Sequence, residues 1–108
     1  MMRIGLLLLV SWLAFVSVSF AEHIVFKESA SGSRNLRPFT VQDGWEVRWD
    51  STDRLSIWLN DPKGNPITEA GSQPKAGSGQ SYQAKGGTYF LSVIGGASTW
   101  TITVVQLP

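Results

Sequence analysis

The 108-residue chain has no cysteine. That excludes disulfides, thiolate metal sites, a cysteine nucleophile and a lipid-modified N-terminal cysteine. Small exported domains often rely on disulfides, so this one must hold its shape by core packing alone. A surplus of charge is missing too. Arg3 apart, eight lysines and arginines stand against eight aspartates and glutamates, interspersed along the chain without a block of either sign. Nucleic-acid and membrane-surface binders carry a basic patch, so neither class of partner is expected here. Histidine occurs once, as His23, with no nucleophile or orienting group nearby, and general-base catalysis by histidine needs both. There is no Asn-x-Ser/Thr acceptor, and no helical periodicity after residue 21.

What is present starts with a leader. Met1, Met2 and Arg3 make a short positive start, Ile4 opens an apolar run through Val18, and Ser19 and Ala21 put small residues three and one positions before Glu22. This is the tripartite plan of a secretory signal. Residues 1–21 are expected to be a signal peptide, and residues 22–108 an exported domain, secreted or held in the periplasm or cell envelope. The alternative is a retained anchor helix, for which about 20 apolar residues are needed. After cleavage no membrane span would remain.

Short apolar runs punctuated by glycine, proline, serine and asparagine fill the rest, which predicts an all-β domain. The expected architecture is a small antiparallel β-sandwich of jelly-roll or Greek-key type with about seven or eight short strands. Trp45, Val47 and Trp49 alternate strictly with Glu46, Arg48 and Asp50, the mark of a half-buried strand. Leu55, Ile57 and Leu59 share one face of the next strand, with Trp58 on the other. Residues 29–35 and the glycine- and serine-rich residues 71–81 read as surface loops, and residues 67–70 as a short edge strand. Residues 88–94 and 99–105 flank Gly95, Gly96, Ala97 and Ser98 and read as a terminal hairpin. Pairing Val93 with Trp100, Leu91 with Ile102 and Tyr89 with Val104 puts every apolar residue on one face.

Candidate chemistry is sparse. Glu46 and Asp50 could be paired hydrolase carboxylates, but a solvated ladder with Arg48 between them accounts for them without a cleft. Asp61, Lys63 and Asn65 have the spacing of an oxygen-ligand loop. Calcium, however, wants six to eight oxygens, and lysine inside a proline-flanked turn is a poor donor set. No metal or cofactor is expected. Residues 71–81 lack the lysine and the following helix that a phosphate loop needs. The aromatic Trp58 is different. It points outward by strand phase, as do Phe90 and Ile94. If the Trp45 and Leu55 strands pair, Arg48 lies diagonal to it. Trp58, Phe90, Ile94 and Arg48 are thus the candidate interaction surface, a platform for a sugar ring or a docking partner. Alternatively, the N-terminal segment or the Arg48 side chain covers Trp58.

Residues 55–65, 86–93 and 100–104 together resemble the bacterial prepeptidase C-terminal type of β-sandwich: a strand ending in Asp-x-x-Gly, then Gly-Thr-Tyr-x-Leu-x-Val, then an aromatic-led last strand. The Trp45 and Trp49 strand with the Gly86–Tyr89 hairpin start is also similar to small stand-alone exported bacterial proteins of unassigned role. The resemblance implies the fold. No ligand residues of calcium- or collagen-binding relatives match here. The functional expectation is a non-enzymatic exported module that binds a protein or glycan partner or supports the envelope. The alternative is a small extracellular hydrolase or an enzyme inhibitor.

Overall fold

Why nine strands and two sheets follow from this chain is clearest from its buried residues. The computed structural model describes residues 22–108, and the signal-peptide reading of residues 1–21 lies outside the described residues. The strands are β1 (His23–Ser31), β2 (Arg34–Asn35), β3 (Phe39–Val41), β4 (Trp45–Ser51), β5 (Leu55–Asn60), β6 (Pro66–Gln73), β7 (Gly77–Gln83), β8 (Gly87–Ile94) and β9 (Thr99–Gln106). They form a four-stranded sheet in the order β1-β9-β4-β7 and a five-stranded sheet in the order β2-β8-β5-β6, with β3 also pairing β8. Every pairing is antiparallel. Alternation then buries Trp45, Val47, Trp49, Trp100, Ile102 and Val104 of one sheet against Leu55, Ile57, Leu59, Leu91 and Val93 of the other, in a single core.

The terminal hairpin does not form. β8 pairs with β5, β2 and β3, whereas β9 pairs with β1 and β4. The residues between them arch from one sheet to the other. Val93, Leu91 and Tyr89 do face the same core as Trp100, Ile102 and Val104, but across the sandwich. β4 and β5 likewise lie in different sheets, so Trp49 does not pair with Leu55. Among the described connections, β5–β6 alone joins consecutive strands that pair with each other. Residues expected as a loop at 29–35 complete β1 and form β2, where Ser29, Ala30 and Ser31 pair with Thr101, Trp100 and Thr99.

Residues 71–81 are not a loop either. They end β6 and begin β7, and their glycines are what make this possible. The Trp49 ring lies where these two sheet edges meet. A Cβ at Gly71 would fall 2.6 Å from that ring and one at Gly79 would fall 2.4 Å from it, closer than carbon atoms approach. The Trp49 indole N–H donates to Gln73 Oε1 at 3.0 Å. A β-bulge accompanies this contact: Ile57 pairs with Gly71 and Trp58 with Glu69, leaving Ala70 as the extra residue. Ala70 is buried, and its carbonyl accepts the Ser81 hydroxyl of β7.

The opposite side of the sandwich is closed by rings and an ion-pair group. Phe26 of β1 stacks on Phe39 of β3 at 6.0 Å. Phe39 meets Trp45 edge-on at 5.4 Å, and Trp45 stacks on Tyr89 at 5.4 Å. The Trp45 indole and the Tyr89 hydroxyl both donate to the Lys85 carbonyl, at 2.8 and 2.9 Å, and so hold the β7–β8 connection. Glu28 accepts Arg34 at 3.1 Å and lies 3.8 Å from Arg37. The Arg37 guanidinium sits 4.4 Å over the Phe26 ring.

The buried indoles set the stability. Trp100→Ala should cost about 3–5 kcal/mol in denaturant unfolding, as large core truncations do, and Trp58→Ala less than half of that. Gly79→Ala should cost about 1–3 kcal/mol through overpacking. That cost should shrink in the Trp49→Leu background, because the two sites share one space. Equal unfolding midpoints for wild type and Gly79→Ala would show that the seam has room to spare.

Candidate functional site

The two outer faces differ in how completely their polar groups are used. On the four-stranded sheet, β4 presents Glu46, Arg48 and Asp50. Arg48 is bound from both sides: its Nε donates to Glu46 Oε1 at 2.6 Å, and its Nη1 and Nη2 reach the Glu22 carboxylate at 3.0 and 2.6 Å. Glu22 leads into β1, so this bidentate pair crosses the intervening strand β9. The Arg48 hydrogen bond holds the Glu22 carboxyl below the usual carboxylate range, and the same two glutamates push the Arg48 pKa up. Asp50 accepts the Ser78 hydroxyl at 2.8 Å. Glu46 and Asp50, the candidate hydrolase pair, are thus each tied to a neighbour on this face. His23 is exposed and pairs with Gln106 at the edge of the sheet.

Arg48 therefore does not adjoin Trp58. The expected diagonal contact required β4 and β5 to be neighbours, and they belong to opposite sheets. Trp58, Phe90 and Ile94 do share a face, the outer face of the five-stranded sheet. Its registers define three rows. Ser72, Ser56 and Ile94 form one; Glu69, Trp58, Ser92 and Asn35 form the next; Asn60 and Phe90 belong to the third. Trp58 and Phe90 are half-buried, while Ile94 is 57% exposed.

Hydrogen bonds orient the polar members of these rows. Ser56 Oγ donates to Glu69 Oε2 at 3.0 Å. Asn60 Nδ2 donates to Ser92 Oγ at 2.9 Å, and Ser92 Oγ donates to Asn35 Oδ1 at 2.8 Å. Among the described residues the second Glu69 oxygen and the Asn35 amide N–H₂ have no partner; Glu69 pairs with Trp58 directly, while Asn35 lies beyond Ser92. Three of the four indoles in the described residues are engaged: Trp45 with Lys85, Trp49 with Gln73, and Trp100 with the Gly32 carbonyl. Among the described residues, the Trp58 N–H has no such partner.

Ile94 leads into a half-open cleft of about 300 Å³ lined by Asp53, Arg54, Ile94, Gly95, Gly96 and Ala97. Among the described residues Arg54 forms no ion pair, unlike Arg34, Arg37 and Arg48. The Asp61 turn is self-contained. Its Oδ1 accepts the backbone N–H groups of Asn65 and Lys63 at 3.0 and 2.9 Å, and its Oδ2 the Asn65 amide at 3.1 Å. The Asn65 backbone bond, chief among these, keeps the Asp61 pKa below its ordinary value. Among the described residues no group of three or more His, Cys, Asp or Glu is placed to hold a metal ion, and no helix is long and apolar enough to cross a membrane.

Sequence reasoning missed Glu69 and Asn35. Glu69 reaches the Trp58 row through the bulge at Ala70, and Asn35 sits in a segment read as loop. Neither carries a local signal of its position.

No family model matches the chain, and no curated protein matches it. Among solved structures the chain is similar to PliG of Aeromonas hydrophila, a periplasmic lysozyme inhibitor of g-type lysozyme. The identity is 12% and the TM-score 0.45, with 82% of this chain and 85% of that chain covered. A likeness at that level carries no inference about partner or activity.

Two carboxylates give the domain an acid-sensitive component. Glu22 and Asp61 have lowered pKa values in the fold, so the unfolded chain binds more protons at acidic pH. Their stabilisation is complete above the unfolded carboxylate values of about 4 and is lost as pH falls through the lower folded values. Thermal midpoints followed from pH about 6 to about 2 should fall less steeply in Arg48→Gln, which removes the partner of Glu22, and in Asp61→Asn. Parallel wild-type and variant curves would show that neither group contributes.

Proposed function

We propose that this chain is an exported, non-enzymatic β-sandwich module that binds a partner protein or glycan through the outer face of its five-stranded sheet. Trp58, with Phe90 and Ile94, forms the contact surface. The observation that carries this reading is the contrast among the indoles: three are buried and hydrogen-bonded within the fold, while Trp58 is half-buried on an outer face and, among the described residues, its N–H has no partner. Amphipathic aromatics of this kind contribute large contact area at interfaces while keeping a polar handle. The leader pattern of residues 1–21 supports export.

The non-enzymatic part rests on how the acidic residues are used. Glu46 is held by Arg48, Asp50 by Ser78 and Asp61 by its own turn. General acid–base work requires such a group within reach of a bound substrate; none of these three lines the cleft, and the carboxylate that does, Asp53, accepts the Arg54 backbone N–H.

Binding of the purified full chain to isolated envelope polysaccharide and to purified envelope proteins is the direct test. Trp58→Ala should weaken it about tenfold, the equivalent of one aromatic contact. Glu46→Gln, on the other sheet, should leave it unchanged. Equal binding by wild type and Trp58→Ala would remove this face from consideration. Catalytic turnover abolished by Glu46→Gln would overturn the non-enzymatic reading.

A further inference from the structure

The rows around Trp58 restrict the chemistry of what can lie on them. We infer that the ligand of this face is a neutral, extended glycan of β-1,4-linked pyranose units. This inference rests on the reading that the face is a binding surface.

Charge is the first constraint. In the three rows across β6, β5, β8 and β2, Glu69 is the one charged side chain. An acidic polysaccharide or a nucleic acid would meet a carboxylate there with no cation in the rows to offset it, and like-charge juxtaposition is costly. Arg54, which forms no ion pair among the described residues, lines the cleft beside Ile94 rather than the rows.

The second constraint is the alternation of polar and apolar groups. Trp58 has Glu69 on one side and Ser92 on the other within its own row. Trp58 on β5 and Phe90 and Ile94 on β8 are therefore set around Ser92 rather than joined into one patch. Protein interfaces centre on a contiguous apolar patch ringed by polar residues, and this face is not built that way. A pyranose ring is. Its C–H face matches the negative face of an indole, while its equatorial hydroxyls project sideways as paired donors and acceptors. The free Glu69 oxygen accepts from a hydroxyl on one side of Trp58, and the Asn35 amide donates to one on the other. Both are held in place beforehand, Glu69 by Ser56 and Asn35 by Ser92, so little ordering cost remains at binding.

Direction is the third. Phe90 and Ile94 flank the level of Trp58 along β8, and four residues of strand span about 13–14 Å. That length exceeds one sugar ring, which suits an extended chain of several units running along the strands.

The test follows the indole N–H signals of the full chain by NMR, with the Trp58 signal assigned from Trp58→Phe. Chitohexaose and cellohexaose serve as neutral probes and an oligogalacturonate as the acidic one. The expected result is that a neutral hexasaccharide shifts the Trp58 signal. Its affinity should fall about tenfold in Trp58→Ala and about threefold to tenfold in Glu69→Gln and Asn35→Ala, with little dependence on salt. Unmoved Trp45, Trp49 and Trp100 signals show that each variant is still folded. If neither neutral hexasaccharide shifts the Trp58 signal, the glycan assignment falls. A shift with the oligogalacturonate alone overturns the neutral assignment but leaves the binding face standing. Neutral-glycan binding that survives Trp58→Ala unchanged overturns both.

Discussion

Trp49 stands where the edge of one sheet meets the edge of the other, and much of the molecule is arranged around its ring. A sandwich without disulfides has to keep its two open sides from letting water into the core. On one side Trp49 does this from β4 by reaching between β6 and β7. The space it needs is provided by Gly71 and Gly79, neither of which could carry even a methyl group without meeting the ring. Glycine in a strand interior usually weakens it. Here the ring replaces the missing side chains, burying apolar surface that two small residues would not have contributed.

The strand that meets Trp49 also carries an irregularity that shapes the outside of the other sheet. Gly71 pairs with Ile57 in the register set by Leu55 and Ser56, so it faces the core against Trp49, and just beyond it the strand takes up an extra residue, Ala70, which is also buried. A bulge re-aims the residues beyond it. Without it Ala70 would pair with Trp58, and Glu69 would fall opposite Leu59 on the core phase. With it Glu69 pairs with Trp58 and faces solvent. The Ser81 hydroxyl satisfies the Ala70 carbonyl, so the irregularity leaves no buried acceptor without a partner.

How legible all this is in the sequence depends on whether a feature is local. Strand phase is local, and the burial of Trp45, Val47, Trp49, Leu55, Ile57 and Leu59 follows the alternation directly. Partner choice is not. The pairs Val93 with Trp100 and Leu91 with Ile102 satisfy hydrophobic patterning equally well as neighbours in one sheet or as facing residues in two, because alternation specifies the face and not the adjacent strand. Gly95 to Ser98 can close a hairpin or span the sandwich. Composition misleads most at residues 71–81, where glycine and serine signal a loop by propensity. Only the tertiary contact with Trp49 makes them strands. For the same reason Trp58, Phe90 and Ile94 can be placed outward from sequence, while their polar neighbours Glu69 and Asn35 cannot, and Arg48 adjoins Trp58 only if β4 and β5 pair, which they do not.

The two outer faces therefore carry different information. On the four-stranded sheet Arg48 draws in Glu22 and Glu46, and Asp50 takes Ser78, so the charged groups there largely satisfy one another. A ligand arriving on that face would have to break these contacts before making its own, and exchanging one set of hydrogen bonds for another yields little net free energy. On the five-stranded sheet the internal hydrogen bonds run among the side groups and stop short of the aromatic. The Ser56–Glu69 and Ser92–Asn35 bonds hold the exposed polar residues of the Trp58 row, each with one further donor or acceptor group that has no partner among the described residues. Such groups are already desolvated on one side and fixed in direction, so a matching ligand gains their bonds without first ordering them. The bulge at Ala70, next to the Trp49 contact, thus sets the polar row around Trp58: without it Glu69 would fall on the core phase.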